Sequence, residues 1–141
     1  MWEAIVKVMG GRKVFGKIPA RIDLIKEIDR GLPTAAYETL AKALHLKPEE
    51  ANAVLRVSPR TRSRWKQRQR LDADSSDKLA RVARIYALAI DVLENPQHAV
   101  AWLREPSVSL HGARPLDALA TDAGTEQVVN ILHQMEYGVY A

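Results

Sequence analysis

Seven of the 21 lysine and arginine residues lie between Arg56 and Arg70, in a fifteen-residue stretch, RVSPRTRSRWKQRQR, that holds no acidic residue. Without it the chain carries 14 basic and 17 acidic residues, so the whole positive excess sits in one block. The chemistry open to such a block is polyanion binding, because each Lys or Arg placed on a phosphate releases a condensed counterion. A charge run is more often a solvated helix face, and two features set this one apart. Ser58-Pro59 is a helix start, a hydroxyl cap followed by proline at the first helical position. Trp65 then interrupts the charges on the same helix and needs a surface to pack against. Arg60, Ser63 and Arg64 are placed where they could face bases, and Lys66, Arg68 and Arg70 where they could hold phosphates. Ser58 and Arg62 complete the candidate set.

Catalytic chemistry finds no comparable signal. The absence of cysteine removes disulfides, thiolate zinc sites and cysteine nucleophiles. His45, His98, His111 and His133 are scattered, with none paired at metal-ligand spacing. No nucleophile elbow, Walker loop or dinucleotide fingerprint is present. Asp72, Asp74 and Asp77 superficially suggest a calcium loop, but its later glycine and glutamate are missing, and helix capping accounts for them. The sequence therefore points away from an enzyme and calls for no cofactor or metal.

At 141 residues with 47% apolar content, the chain is long enough for one core, or two small domains sharing one. No run approaches the ~18 apolar residues of a membrane span, and the first residues lack the pattern of a signal peptide. A soluble cytoplasmic protein is expected. The periodicity is helical throughout. Residues 1–17 are the exception and leave strand, helix or loose arm open; Arg12, Lys13 and Lys17 make them basic, as a phosphate-touching arm or as plain surface. Ile22, Ile25 and Ile28 mark a helix over 20–30 that Gly31 can end. Pro33 opens a helix over 34–44 with Tyr37, Leu40, Ala41 and Leu44 on its stripe. Lys47-Pro48-Glu49-Glu50 starts a short helix to Leu55, and the basic helix follows from Pro59 to about Gln69. Asp74-Ser75-Ser76-Asp77 starts a long helix to Glu94. Its second half, IYALAIDVL, is apolar nearly all round and needs cover, from a second copy or from the C-terminal helices. Asn95-Pro96 opens a helix with Ala99, Val100, Trp102 and Leu103, and Thr121-Asp122 caps a last helix carrying Val128, Ile131, Leu132 and Met135. From Pro96 onward only Arg104 and Arg114 are basic, against five acids. The end, Tyr137-Gly138-Val139-Tyr140, is apolar where termini are usually polar; it either folds back on its own core or is offered to another protein.

A short helix, a tight turn and a basic helix make a helix-turn-helix. The stretch from Glu50 to Trp65 resembles the Xre-like, phage-repressor type through Val57-Ser58, Arg60-Thr61 and Trp65. It departs from that type twice. Arg56 stands where glycine is usual in the turn, at a cost of about 1 kcal/mol if it takes positive φ. Arg62 stands where an apolar residue is usual and cannot be buried cheaply.

The C-terminal third resembles the Xre/ParS-type antitoxins that accompany RES-domain toxins. The residues carrying this are Ala99 and Trp102-Leu103 in AVAWLREP, Gly112 and Arg114-Pro115-Leu116-Asp117 in GARPLDALATDAG, and Glu136-Tyr137-Gly138-Val139-Tyr140. Met9-Gly10-Gly11 and IDLIKEIDRGLP extend the likeness toward the N-terminus. The resemblance implies an all-α, homodimeric type II antitoxin, with an arm and DNA-binding region at 1–70, a connecting helix at 71–95 and a toxin-binding region at 96–141. It implies a RES-domain, NAD-consuming toxin as partner, its active site closed by the last helix and tail. The residues expected there are Leu132, Met135, Glu136, Tyr137, Gly138, Val139, Tyr140 and Ala141, with Tyr137, Val139 and Tyr140 as anchors. Operator DNA is the second expected partner. A stand-alone regulator, or an inhibitor whose helix-turn-helix no longer reads DNA, are the alternatives.

Overall fold

The computed structural model describes residues 1–138. These are helical, with no named strand among them, and the chain divides into two compact units, Met1–Arg84 and Ile85–Ala141. The first unit begins with two short helices, α1 (Trp2–Val8) and α2 (Arg12–Phe15), so the segment that patterning leaves open is neither strand nor loose arm. The turn between them needs Gly10, whose φ is 116° and on which a Cβ would lie 2.2 Å from Val14 Cγ2. Val6 and Met9 are buried, and α1 packs on α3 (Arg21–Arg30).

α3 differs from expectation in the face it buries. Leu24 points inward at 5% exposure, while Ile22 and Ile25 remain 53% and 45% exposed. The isoleucines recur every three residues, and at ~100° per residue such a stripe drifts ~60° round the helix at each step. It cannot stay on one wall of the core.

After α3 the chain makes a tight antiparallel clamp with the segment that follows the basic helix. Leu71 N–H donates to Leu32 O at 2.8 Å and Thr34 N–H to Gln69 O at 3.2 Å. Gly31, at φ 102°, is required here, since a Cβ would come within 2.1 Å of the Leu71 carbonyl oxygen. α4 (Thr34–Ala43) buries Ala36 and Leu40, with Leu44 beyond its end. α5 (Pro48–Leu55) buries Ala51, Val54 and Leu55. Arg56 then adopts φ 51°, ψ 48°, the left-handed conformation that its place in the turn demands. α6 (Pro59–Arg68) follows, with the Ser58 hydroxyl accepting from Thr61 N–H.

The long helix α7 spans Ala73–Leu93. Its cap is Asp72, whose carboxylate accepts from Ser75 N–H at 3.1 Å, and not a residue of the expected 74–77 start. Ser75 and Ser76 are buried instead, and Ser76 Oγ accepts from Leu32 N–H at 2.7 Å. The boundary between the units falls inside α7, after Arg84. Ile85 through Ala89 are all buried, which gives the apolar half its cover from the chain itself.

In the second unit, α8 (Pro96–Arg104) starts on Asn95, whose side chain accepts from His98 N–H. A single 3₁₀ turn (Val108–Leu110) leads to α9 (Pro115–Ala118), which packs on α8 and on α10 (Asp122–Glu136). The α9–α10 corner is close, because a Cβ on Gly124 would sit 2.1 Å from the Ala118 carbonyl oxygen. Leu103, Leu116, Leu119, Val128 and Leu132 are fully covered and form the core.

The left-handed Arg56 yields a direct expectation. Arg56→Gly relieves the Cβ penalty and raises unfolding stability by about 1 kcal/mol, read as a higher urea midpoint with unchanged slope.

Candidate nucleic-acid interface and C-terminal docking segment

α6 is a helix of charges held by one apolar side chain. Trp65 is 3% exposed and meets the ring of Tyr37 on α4 edge-on, with centroids 5.3 Å apart. Its indole N–H donates to Asp72 Oδ1 at 3.1 Å. Burial desolvates the Asp72 carboxylate and opposes its charge, but hydrogen bonds from the Ser75 hydroxyl and backbone N–H and from the Trp65 indole outweigh this. The carboxyl lies below its ordinary value of 3.8.

With Trp65 inward, ~100° per residue places Arg60, Ser63 and Gln67 on the opposite, outward line, flanked by Arg64 and Lys66. All five are exposed, as is Arg68. Two of the candidate arginines serve the scaffold. Arg62 lies along α5 and donates to the Pro48 carbonyl at 3.1 Å, so it is accommodated without being buried. Arg70 donates to Gly31 O at 2.6 Å and pairs with Glu27 at 3.7 Å. Ser58 is occupied as the cap of α6. The residue that patterning overlooks is Gln67, a neutral side chain hidden among charges; its place four residues after Ser63 and seven after Arg60 was the available signal. An exposed glutamine on such a line has the donor and acceptor pair that matches an adenine edge.

At the other end of the chain, Leu132 is fully covered in the core of its own unit, which removes it from the surface where the docking residues were expected. Met135 is half-buried, and Glu136, Tyr137 and Gly138 are exposed. Tyr137 is 74% exposed and its ring lies 6.3 Å from that of His133. Val139, Tyr140 and Ala141 lie outside the described residues. No grouping of His, Asp and Glu suited to a metal ion occurs among the described residues, and no helix among them is long and apolar enough to cross a membrane.

Fold and site together define a helix-turn-helix protein joined to a separate helical C-terminal unit. The family model of the antitoxin Xre-like helix-turn-helix domain matches residues 23–84. That of the antitoxin Xre/MbcA/ParS C-terminal toxin-binding domain matches residues 88–138. The chain belongs to this family of Xre-type antitoxins. It is 36% identical over 93 residues to an antitoxin Xre of Pseudomonas putida, a match covering 66% of this chain and 58% of that protein. It is 25% identical over 130 residues to a Prs ADP-ribosylating antitoxin of Sphingobium sp., covering 85% of this chain and 82% of that one.

The Trp65–Asp72 contact has a pH consequence. Because the folded-state pKa of Asp72 is depressed, its contribution to stability is complete above the unfolded value and is lost as pH falls through the folded one. Asp72→Asn keeps an acceptor for the indole but cannot titrate. In urea unfolding the wild-type chain is the more stable at pH 7, and the gap between the two narrows as pH drops below about 4.

Proposed function

We propose that this chain is a cytoplasmic type II antitoxin. It neutralises a RES-domain, NAD-degrading toxin by closing the toxin's active site with the end of α10 and the tail, and it binds operator DNA as a homodimer to repress its own synthesis. The observation that carries the toxin half is Tyr137, an aromatic ring kept in solvent at the end of the toxin-binding domain. Aromatic side chains are large anchors at small entropic cost, and a pocket shaped for NAD has room for them. Met135, Glu136, Gly138, Val139, Tyr140 and Ala141 complete the docking segment. The name of the Sphingobium relative refers to ADP-ribosylation, a transfer that draws on NAD, so a partner that consumes NAD agrees with it in chemistry.

For the DNA half, α6 lies in the major groove. Arg60, Ser63 and Gln67 face base edges, and Arg64, Lys66 and Arg68 hold the flanking phosphates. Arg62, Arg70 and Ser58 act by fixing the helix.

Replacing both Arg60 and Arg64 by alanine tests the division of labour. Fluorescence anisotropy on promoter DNA is expected to show at least a ~100-fold loss of affinity, while co-expression with the toxin still rescues growth. Unchanged DNA binding would remove α6 as the reader. Loss of rescue in a correctly folded variant would show that the two activities are not separable.

A further inference from the structure

The helix α3 carries apolar residues on two faces. Leu24 and Ile28 turn toward the unit's interior, whereas Ile22 and Ile25 stay 53% and 45% exposed. Arg21 and Asp29 are exposed as well, and neither side chain has an ion-pair partner among the described residues. At ~100° per residue, Arg21, Ile25 and Asp29 follow one another at i, i+4 and i+8, so they form a single ridge along the helix, with Ile22 and Ile28 on its flanks. Beside the ridge lies an open groove of about 520 Å³, walled by Trp2 and Ile5 of α1, Ile25 and Ile28 of α3, and Ala80 and Arg84 of α7. Met1, 58% exposed, stands at its edge.

We infer that this ridge is where two copies of the chain meet, with their α3 helices antiparallel about a two-fold axis level with Ile25. The charges select both the occupant and the direction. An antiparallel two-fold sets residues equally far before and after Ile25 at the same height. Arg21 of one copy then lies level with Asp29 of the other, twice over, and Ile25 meets its own image. A parallel pairing would set Arg21 against Arg21 and Asp29 against Asp29, which like-charge repulsion opposes. A foreign acidic helix would satisfy Arg21 but leave Asp29 facing its own sign. The inference rests on the dimeric operator-binding reading and gives that dimer its face.

The ten residues of α3 make a seam of about 15 Å, which is short for an interface and fits a dimer of micromolar strength. Two half-sites on one operator would supply the rest through effective concentration.

Sedimentation of the full chain from about 1 to 200 µM reads this association without toxin or DNA. The wild-type chain is expected to show a reversible monomer–dimer equilibrium. Ile25→Glu raises the dissociation constant by at least about a hundredfold, because it sets two carboxylates against each other at the apolar centre. At concentrations low enough that both chains are monomeric, its circular dichroism and thermal midpoint match the wild-type values, since Ile25 is exposed in the single chain. Arg21→Asp weakens the dimer, and the swapped pair R21D/D29R restores it. A wild-type chain that remains monomeric, an Ile25→Glu chain that still dimerises, or a double swap no better than the single one would each overturn the proposal. The Ile25→Glu chain is also co-expressed with the toxin. A dimeric wild type whose Ile25→Glu variant also dimerises overturns the face and leaves the dimeric reading standing, and growth rescue by the variant keeps the antitoxin reading standing whatever the sedimentation shows.

Discussion

Burial of Trp65 is the constraint on which the rest of the first unit depends. A ten-residue helix carrying five basic residues repels itself and exposes little that favours folding. One indole, sealed against Tyr37 and hydrogen-bonded to Asp72, fixes which side of it faces in. Burying a side chain of this size is worth several kcal/mol (about 3–5 on truncation to alanine), more than the mutual repulsion of exposed charges. Everything opposite the indole is then free for a ligand. The segment beyond α6 is fixed by the Leu32–Leu71 clamp, by Arg70 on the Gly31 carbonyl and by Ser76 on the Leu32 amide. A helix held at its middle and just past its end presents its outer line without paying for alignment when DNA arrives.

Charge divides as the units do. Residues 1–84 hold 19 basic and ten acidic side chains, whereas residues 85–141 hold two and seven. The first unit draws phosphate, and the second is repelled by it, so the C-terminal segment is not drawn onto a polyanion. A protein contact there must come from shape and apolar area, which is what the exposed Tyr137 offers. The same division explains why substitutions on the outer line of α6 are expected to leave the second unit's work untouched.

Much of this was legible in the sequence because caps and prolines are local. Ser58-Pro59, Asn95-Pro96 and Thr121 each start the helix they signal, and Arg56 takes the left-handed conformation that its place in the turn requires. What was not legible depends on which side of a helix another element covers. Ile22 and Ile25 have the types of core residues but lie on the wrong side of Leu24. Leu132 sits one helical turn before the exposed Glu136, yet it belongs to the core. The polar run Asp72 to Asp77 offers several equivalent caps, and the choice of Asp72 follows from Trp65, seven residues earlier. Gln67 carries no charge and so gives no compositional signal; its outward place follows only from its position relative to the buried tryptophan.

The central claim, that the end of α10 and the tail close the toxin, is tested most directly by measuring NAD in cells. A RES-domain toxin that the full-length chain binds is expressed with this chain either at full length or ending at Glu136. The account predicts that NAD is preserved by the full-length chain and collapses with the shortened one, although both are soluble. Equal protection by the two would contradict it and move the inhibitory contact upstream of Tyr137.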